Sequence, residues 1–408
     1  MGMTMRPGHD NGLSEQTQRW LEHASLDDRK RLGQFMTPAP LRERLLDSCD
    51  LFPGMRVLDP GVGTGEFLRS VLDREPNAEV FGWDVDPTVL SVASALVPEA
   101  QLDQRSALDP YLGEPFDLVI GNPPYFQFKA SREVRTYFAR VISGRVNVFA
   151  LFFQAGMEAL RTGGQLAYVI PPSMNNGAYF ERLREYIVQS SAVEFLRVVP
   201  DQTLFDSAQT PVQLIVLRYG ALDTGHHVYT RHSTTNGFRR TIFSEDPKEI
   251  HASFEGRHTL YELGFEAVTG TIVWNQHRPS LRHTPSDSSV PLIWAHNIRD
   301  QLRLIPDHKR PQFIETNRPT LTGPAIVTNR IVGSVGSAEL RCALVPHGME
   351  FVGENHVNVI RAHGRFIPSV DWHQLLTALQ LPSTAQRVRL LTGNTQISAT
   401  EMTHLLPV

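Results

Sequence analysis

The sequence predicts an α/β protein that begins with a Rossmann-like, doubly wound sheet and ends with a separate, β-rich region. In the first half, short apolar runs alternate with amphipathic helical stretches, as expected for a mainly parallel sheet. A glycine-rich loop at 61–65 follows the first apolar run. After about residue 220 the helical stretches give way to short β-like runs rich in Thr, His, Asn, Pro and Gly. The composition of the chain therefore changes where a second domain is expected.

The segment before the sheet is predicted to be helical. Residues 13–32 have the apolar spacing of an amphipathic helix, and 33–38 form a loop. A second helix is expected at 40–50, with its leucines on one face.

The sheet is predicted from the order in which strands and helices follow one another. Strands are expected at 55–59, 80–84, 100–102, 116–120, 165–170, 193–199 and 212–219, the last two antiparallel. Helices are expected at 66–74, from Pro87 onward, at 147–161 and at 179–189. Gly163 and Gly164 are expected to end the helix at 147–161. In such a sheet, ligands bind at the carboxyl ends of the strands.

The second part is predicted to be largely β. Its β-like runs lie at 270–274, 292–294, 325–327 and 357–360, and helices follow at 372–379 and 385–391. We place the boundary near 220–245. The expected division is an N-terminal helical extension at 1–32, a first domain at 33–225 and a second domain at 226–408.

Composition and charge are those of an ordinary globular protein. The chain has 408 residues, a net charge of −4, 41% hydrophobic residues and 20% charged residues, which is enough for two domains. No apolar run approaches the roughly 20 residues of a membrane span, and the N-terminus lacks the apolar core of a secretory signal. Cys49 and Cys342 give neither a disulfide framework nor metal-ligand spacing, and the histidines are scattered. We therefore expect a cytoplasmic protein without a metal site.

Two carboxylates and a glycine loop predict a nucleoside-binding pocket. Asp59 ends the first strand, and Gly61, Gly63 and Gly65 allow a ligand to approach the backbone. Asp84 ends the next strand, where a carboxylate can bind both hydroxyls of a ribose. Nicotinamide enzymes and S-adenosylmethionine enzymes share these features, and a structural turn with a capping acid is a third interpretation. An acid before the glycines suits a cationic ligand, and the last glycine lies one position short of the dinucleotide fingerprint, which favours S-adenosylmethionine.

A short motif after the strand at 116–120 predicts a catalytic loop. Its residues are Asn122, Pro123, Pro124 and Tyr125. The two prolines restrict the backbone, so that a side-chain amide, carbonyl groups and an aromatic ring are presented together at a strand end. This combination suits binding of a planar amine while the amine is attacked. A structural Pro-Pro loop is the simpler alternative.

With these motifs in this order, the chain resembles the γ-class adenine-N6 DNA methyltransferases of restriction–modification systems, in the branch where the catalytic domain precedes the target-recognition domain. Residues 33–38 (GQFMTP) resemble the N-terminal cofactor motif, 59–67 and 82–87 the glycine and ribose motifs, and 122–125 (NPPY) the catalytic motif. Later motifs are matched at 147–149, 170–173 and 179–180. The resemblance is strong over about 30–220 and weaker afterwards.

The resemblance implies S-adenosylmethionine as cofactor and double-stranded DNA as substrate. The cofactor-binding residues that it implies are Phe35, Thr37, Asp59, Gly61, Gly63, Gly65, Asp84, Val85, Ser106 and Asn122. At Ser106-Ala107 the chain departs from the family, which has an acid followed by an aromatic residue. Either Asp103 and Asp109 compensate, or the donor binds more weakly.

The resemblance also implies a mechanism in which an adenine is flipped out of the duplex. The side-chain oxygen of Asn122 and the carbonyl of Pro123 accept hydrogen bonds from the adenine amine and localise its lone pair. Tyr125 stacks on the base. Phe180 is the second stacking aromatic, with Tyr179 as its alternative, although an ordinary core role for Phe180 is also open. Asn rather than Ser at the first motif position favours adenine over cytosine-N4.

Basic side chains after the catalytic loop are candidates for phosphate contacts. These are Lys129, Arg132 and Arg135, and a solvated charged face is the alternative. We expect a monomer and a cognate restriction endonuclease encoded separately. Two other functions stay open: methylation of a protein glutamine amide or of RNA adenine, because the same amide grip serves any planar amine, and an inactive binding module, suggested by Ser106.

Overall fold

The computed structural model describes residues 11–199, 211–233, 237–299, 301–304, 309–330, 340–392 and 397–408. The chain divides into two compact units. Unit 1 comprises Met1–Tyr229 and Thr241–Pro247, and unit 2 comprises Thr230–Arg240 and Lys248–Val408. Across the described ranges, no helix combines the length and the apolar character that crossing a bilayer requires.

Unit 1 is built on a seven-stranded sheet. The strands of this unit are β1 (Arg56–Asp59), β2 (Glu79–Asp84), β3 (Gln101–Gln104), β4 (Phe116–Gly121), β5 (Gln127–Phe128), β6 (Val146–Asn147), β7 (Leu160–Ile170), β8 (Ser191–Val199) and β9 (Val212–Tyr219). The spatial order is β3-β2-β1-β4-β7-β9-β8, and β5 and β6 form a separate two-stranded sheet. β9 runs antiparallel to both of its neighbours, and the other pairings in the sheet are parallel. Because the chain order reverses between β1 and β4, a crevice for ligands opens there.

Helices cover both faces of this sheet. They are α1 (Glu15–His23), α2 (Leu26–Leu32), α3 (Ala39–Leu46), α4 (Glu66–Arg74), α5 (Pro87–Leu96), α6 (Arg132–Tyr137), α7 (Val148–Ala159) and α8 (Glu181–Ser190). Along β4, Leu118 and Ile120 join the apolar cluster of α3 and α4, whereas Val119 joins that of α7 and α8. This alternation follows from the two-residue period of a strand. The predicted doubly wound α/β fold is confirmed.

Several predicted helices have different limits in the structure. The helix expected at 40–50 spans Ala39–Leu46, and the one expected at 179–189 spans Glu181–Ser190. The helix expected at 13–32 is broken into α1 and α2, because Ala24 is extended and the Ser25 side chain caps α2. The helix expected at 147–161 ends at Ala159. Gly163 and Gly164 lie inside β7. The pairing of β7 with β4 shifts its register between Phe116 and Leu118 of β4.

Unit 2 contains two β-sheets. The chain first forms a two-stranded sheet of β10 (Val228–His232) and β11 (Arg239–Phe243). The strands that follow are β12 (Phe265–Thr269), β13 (Leu281–Arg282), β14 (Ser289–Ile293), β15 (Phe313–Glu315), β16 (Leu321–Thr322), β17 (Ala325–Asn329), β18 (Cys342–Val345), β19 (Glu350–Gly353) and β20 (Val357–Ala362). One sheet has the order β12-β20-β17-β18 and the other β13-β15-β14-β19-β16. The helices are α9 (Pro247–Phe254), α10 (Trp372–Gln380), α11 (Pro382–Thr392) and α12 (Ala399–His404).

The β-rich character predicted for the second region is confirmed, with one local difference. The run expected as a strand at 270–274 is not a strand. The observed strand β12 lies just before it and ends at Thr269. Ile272 makes a single bridge to Glu354, and Trp274–Gln276 forms a 3₁₀ turn.

Candidate active site

A cavity of about 280 Å³ lies in unit 1, at the carboxyl ends of β1, β2 and β4. Its lining includes residues 32–37, 59–64, Asp84 with Val85, 105–108 and Asn122. This position is the one expected for a ligand at the reversal point of a doubly wound sheet. The glycine loop, the two strand-end acids and the Asn of the NPPY motif therefore meet at one site.

The glycine loop joins β1 to α4 in a left-handed turn. Gly63 has a φ of 51°, and its N–H donates to Asp84 Oδ2 at 3.0 Å. Gly65 has a φ of 89° and caps α4, and a β-carbon there would lie 3.3 Å from Ala93. Gly61 and Gly63 line the cavity, whereas Gly65 holds the helix that follows.

Asp59 is a buried carboxylate, only 1% exposed, in the floor of the cavity. It accepts a hydrogen bond from the Gly61 N–H at 3.1 Å. Burial raises the pKa of Asp59 to about 8; the Gly61 N–H opposes this shift and the charge of Asp84 adds to it. A β-carbon at Gly121 would lie 2.6 Å from Asp59 Oδ1, so the carboxylate requires glycine there. We did not predict this role for Gly121, and its only signal in the sequence is its place directly before the NPPY motif.

Asp84 ends β2 and is held by backbone donors. It accepts from the N–H groups of Gly63 at 3.0 Å and Asp86 at 2.9 Å, and burial raises its pKa. Val85, which is 56% exposed, lines the cavity beside it. Gln34 Nε2 donates to Asp86 Oδ2 at 2.8 Å and so ties the N-terminal segment to the end of β2.

The segment 105–108 forms the wall where the chain departs from the family motif. Ser106 lines the cavity, and its Oγ accepts from the Leu108 N–H at 3.1 Å. Neither Asp103 nor Asp109 lines the cavity. Arg105 does, and its guanidinium lies 4.4 Å from the centroid of the Trp83 ring. The wall at this position is therefore a serine and an arginine rather than an acid.

Residues 32–37 cross the cavity, and we call this segment the strap. Gly33 has a φ of 69°, and a β-carbon there would lie 2.5 Å from Pro124 Cβ. The Thr64 hydroxyl donates to Met36 Sδ at 3.3 Å. The strap thus contacts the catalytic loop on one side and the glycine loop on the other.

The Asn122 amide is hydrogen-bonded at both of its ends. Nδ2 donates to the Phe35 carbonyl and to Thr37 Oγ1, each at 3.1 Å. Oδ1 accepts from the Tyr125 hydroxyl, which also lies 2.7 Å from the Val169 carbonyl oxygen. Burial raises the pKa of Tyr125 well above its ordinary value, so the hydroxyl is protonated.

The NPPY motif was expected to offer two hydrogen-bond acceptors, the Asn122 side-chain oxygen and the Pro123 carbonyl, and the structure shows which of them already has a donor. The Pro123 carbonyl has no hydrogen-bond donor among the residues that the structure describes. The Asn122 oxygen has one, the Tyr125 hydroxyl. The oxygen has two lone pairs, so an incoming amine either shares it with that hydroxyl or replaces the hydroxyl.

The remaining predicted residues lie outside the cavity lining. The Phe180 ring packs on Phe149, with centroids 4.8 Å apart, and Tyr179 is 60% exposed. Lys129, Arg132 and Arg135 are exposed on the segment from β5 to α6. Their roles in stacking and phosphate binding stay predictions. In the described part of the chain, no cluster of three or more His, Cys, Asp or Glu side chains could hold a metal ion.

The residues of the cavity fit S-adenosylmethionine by their chemistry. Two carboxylates, Asp59 and Asp84, suit a cationic donor with ribose hydroxyls. The apolar part of the lining includes Phe126, Phe128 and Phe152. A charged nucleoside with an aromatic ring needs both kinds of surface.

Comparison with known proteins finds that the chain is similar to methyltransferases. Residues 96–205 match the family described as Eco57I restriction-modification methylase. The modification methylase CviBIII of Paramecium bursaria Chlorella virus NC1A is 27% identical over 208 residues, which cover 50% of this chain and 54% of that protein. The match thus spans about half the length of that relative. The type II methyltransferase M.BsuBI of Bacillus subtilis is 21% identical, covering 92% of this chain and 87% of that protein.

A solved structure from Listeria monocytogenes, described as a class I S-adenosylmethionine-dependent methyltransferase, is 22% identical with a TM-score of 0.44. The match covers 50% of this chain and 65% of the chain in the Listeria structure. The relatives are methyltransferases, in agreement with S-adenosylmethionine as the expected cofactor. The matched family and the relatives also agree with the resemblance carried by the motifs. This chain is related to the methyltransferases of restriction–modification systems.

Proposed function

We propose that this protein transfers a methyl group from S-adenosylmethionine to the N6 amine of a flipped-out adenine in duplex DNA, as the modification enzyme of a restriction–modification system. The observation that carries the proposal is the place of Asn122. Its amide lies in the wall of the cavity that holds Asp59 and Asp84, at the end of the neighbouring strand β4. When bound, S-adenosylmethionine supplies an electrophilic methyl group on a sulfonium.

The task of the protein residues is to make a weak nucleophile attack. The amine of adenine is poorly nucleophilic because its lone pair is delocalised into the ring. Asn122 Oδ1 and the Pro123 carbonyl are two acceptors for its two hydrogens, and binding both favours a localised lone pair. The Tyr125 hydroxyl leaves Oδ1 when the amine arrives, and its ring stacks on the base. Stacking contributes about 1–3 kcal/mol, which offsets much of the cost of flipping.

Unit 2 is the candidate for reading the DNA sequence, and the exposed Lys129, Arg132 and Arg135 are candidates for phosphate contacts. The support is the length of the match to M.BsuBI, which extends over 92% of this chain and so includes both units. The two sheets of unit 2 lack a cofactor motif. A separate recognition unit accounts for their presence.

The first test is methyl transfer from labelled S-adenosylmethionine to duplex DNA of diverse sequence, followed by hydrolysis and identification of the modified base. We expect N6-methyladenine. Asn122→Ala should lower the rate by about 10² or more, since it removes a fixed acceptor from the transition state. Tyr125→Ala should raise KM for DNA about tenfold through lost stacking. Asn77→Ala, an exposed asparagine outside the cavity, is the matched control and should behave as the wild type.

Other products would change the assignment. N4-methylcytosine would contradict the choice of base, and label in protein or RNA would support the alternative substrates. A wild-type chain that binds S-adenosylmethionine but modifies no DNA would contradict the proposed function.

A further inference from the structure

We propose that Thr37 is a positioning residue: its hydroxyl, together with the Phe35 carbonyl, holds the Asn122 amide so that Oδ1 faces the substrate amine. The inference rests on the proposed function and names a residue that serves it. The sequence motif assigns Thr37 to cofactor binding. The geometry points instead to a contact between its hydroxyl and the catalytic side chain.

A carboxamide is asymmetric in its hydrogen bonding. One end of the Asn side chain is a hydrogen-bond acceptor and the other end a double donor, and the two ends have almost the same shape. A half-turn of the amide would place an NH₂ group where the adenine amine needs an acceptor. Two donors would then face each other, and catalysis by Asn122 would fail. Something must therefore fix which end faces the base.

The strap provides that constraint. Nδ2 has two hydrogens, and it has two acceptors at 3.1 Å, Phe35 O and Thr37 Oγ1. At the opposite end, Oδ1 meets the Tyr125 hydroxyl, which is a donor. The Phe35 carbonyl can only accept, so it selects the NH₂ end of the amide. The hydroxyls of Thr37 and Tyr125 each add a hydrogen bond that holds the amide in the orientation so selected.

The strap can hold the amide only if Thr37 itself is held. Thr37 is 3% exposed, and its carbonyl accepts from the guanidinium of Arg42, which is 1% exposed. Arg42 in turn forms an ion pair with Glu66 at 3.1 Å and donates to Ser70 Oγ at 2.9 Å. Glu66 is the first residue of α4, directly after the glycine loop. The backbone of Thr37, which carries the hydroxyl, is therefore held by a buried network anchored beside the donor cavity.

The decisive variants differ only in the hydroxyl. Thr37→Val keeps the shape of the side chain and removes the acceptor, whereas Thr37→Ser keeps the acceptor and removes a methyl group. The measurements are single-turnover methyl transfer to saturating DNA and binding of S-adenosylmethionine by calorimetry. We expect Thr37→Val to slow transfer about tenfold or more while the donor Kd stays within about threefold, because one hydrogen bond that holds the Asn122 amide in place is lost. Thr37→Ser should restore most of the rate.

A cofactor-binding role predicts a different pattern. In that case Thr37→Val would weaken donor binding in proportion to the loss of activity, and a saturating donor would restore the rate. Either result, or a Thr37→Val enzyme as fast as the wild type, would overturn the inference. If Thr37→Val does not fold, as judged by thermal melting, Thr37→Ala removes the same hydroxyl without adding bulk and is read in the same way.

The wild-type enzyme separates this inference from the proposed function. If wild type and Thr37→Ser both fail to methylate DNA, the proposed function fails. If both are active and Thr37→Val is equally active, the proposed function stands and the positioning role fails.

Discussion

At the scale of single residues, the buried carboxylate at the end of β1, Asp59, is expected to couple cofactor binding to pH. Burial raises the pKa of Asp59 to about 8, from an ordinary value of 3.8. Below that pH the donor-free protein therefore carries mostly the neutral acid. A cationic ligand interacts best with the ionised form, so binding of the ligand is coupled to loss of a proton.

We therefore expect the affinity for S-adenosylmethionine to rise with pH and to level off above about 8. The rise is at most about tenfold per pH unit, since one proton is exchanged. Calorimetric titrations from about pH 6 to pH 9 measure it, and Asp59→Asn serves as the control for titration of the ligand itself. A wild-type affinity with the same pH profile as Asp59→Asn would show that the carboxylate is not coupled to the ligand.

The same residue affects stability with the opposite sign. A carboxyl group whose pKa is raised on folding favours the folded state when protonated, and this contribution is lost as pH rises through the folded value. The melting temperature of ligand-free Asp59→Asn should therefore exceed that of the wild type by an amount that grows from about pH 4 to about pH 8.

The residues of the site were predictable where a local motif determines them. Asp59, Asp84 and Asn122 each follow a strand that the apolar pattern reveals, and parallel strands bring their ends together. Gly121 and the contact of Thr37 with Asn122 were not predictable. The latter pair is 85 positions apart in the chain, and nothing in either segment alone indicates that it touches the other.

At the scale of elements, the strap is the part of unit 1 that links the donor cavity to the catalytic loop. Gly33 is its point of closest approach, because a side chain there would meet Pro124. Gly54 provides a matched comparison: it has a similar positive φ, 77° against 69°, but no atom lies within 4 Å of the place where its β-carbon would be.

Gly33→Ala should therefore impair both donor binding and methyl transfer, whereas Gly54→Ala should show only the backbone penalty. For a non-glycine residue in this region that penalty is about 1–3 kcal/mol, and it applies equally to both variants. Thermal melting measures the shared effect on stability, and calorimetry with S-adenosylmethionine measures the specific one. Equal donor affinities in the two variants would contradict a linking role for the strap.

Elements were predictable in proportion to their length and periodicity. The helix predicted at 66–74 has the same limits in the structure, because a strong apolar face follows a glycine turn. The pairing of β5 with β6 and the six-residue helix α6 were not predicted. Two-residue strands contain no alternation, and their pairing joins residues far apart in the chain.

At the scale of the whole molecule, the net charge of −4 means that, if DNA is the substrate as we propose, local basic groups must attract it. Lys129, Arg132 and Arg135 are exposed and follow the catalytic loop. If they contact phosphates, each releases a counterion on binding, and this makes the affinity depend on salt.

Replacing any one of these three by Ala should lower DNA affinity by a similar factor on specific and unrelated duplexes. It should also reduce the slope of log Kd against log salt by about 1, while the donor affinity stays unchanged. Fluorescence anisotropy at several salt concentrations measures both. Arg19→Ala is a control, since this exposed arginine on α1 pairs with Glu15. A slope that matches the control would assign the three residues to a solvated surface.

The second unit shows the limit of prediction at this scale. Its β-rich character followed from composition and short apolar runs. Its two sheets could not be derived, because β14 pairs with β15 and β19, and β20 with β12 and β17, across long stretches of sequence. Strand order in such sheets depends on packing of the whole unit rather than on any local pattern.

The position of the Tyr125 hydroxyl has a consequence for the occupied site. A hydroxyl carries one hydrogen, yet two oxygens, Asn122 Oδ1 and the Val169 carbonyl, lie within its reach. Without an amine in the site, the single phenol hydrogen therefore serves two acceptor oxygens. An adenine amine would bring further hydrogens: it would donate to Asn122 Oδ1, whose amide keeps its orientation, and the phenol hydrogen would then bond to the Val169 carbonyl. Binding of the amine would thus give each of the two oxygens its own hydrogen-bond donor.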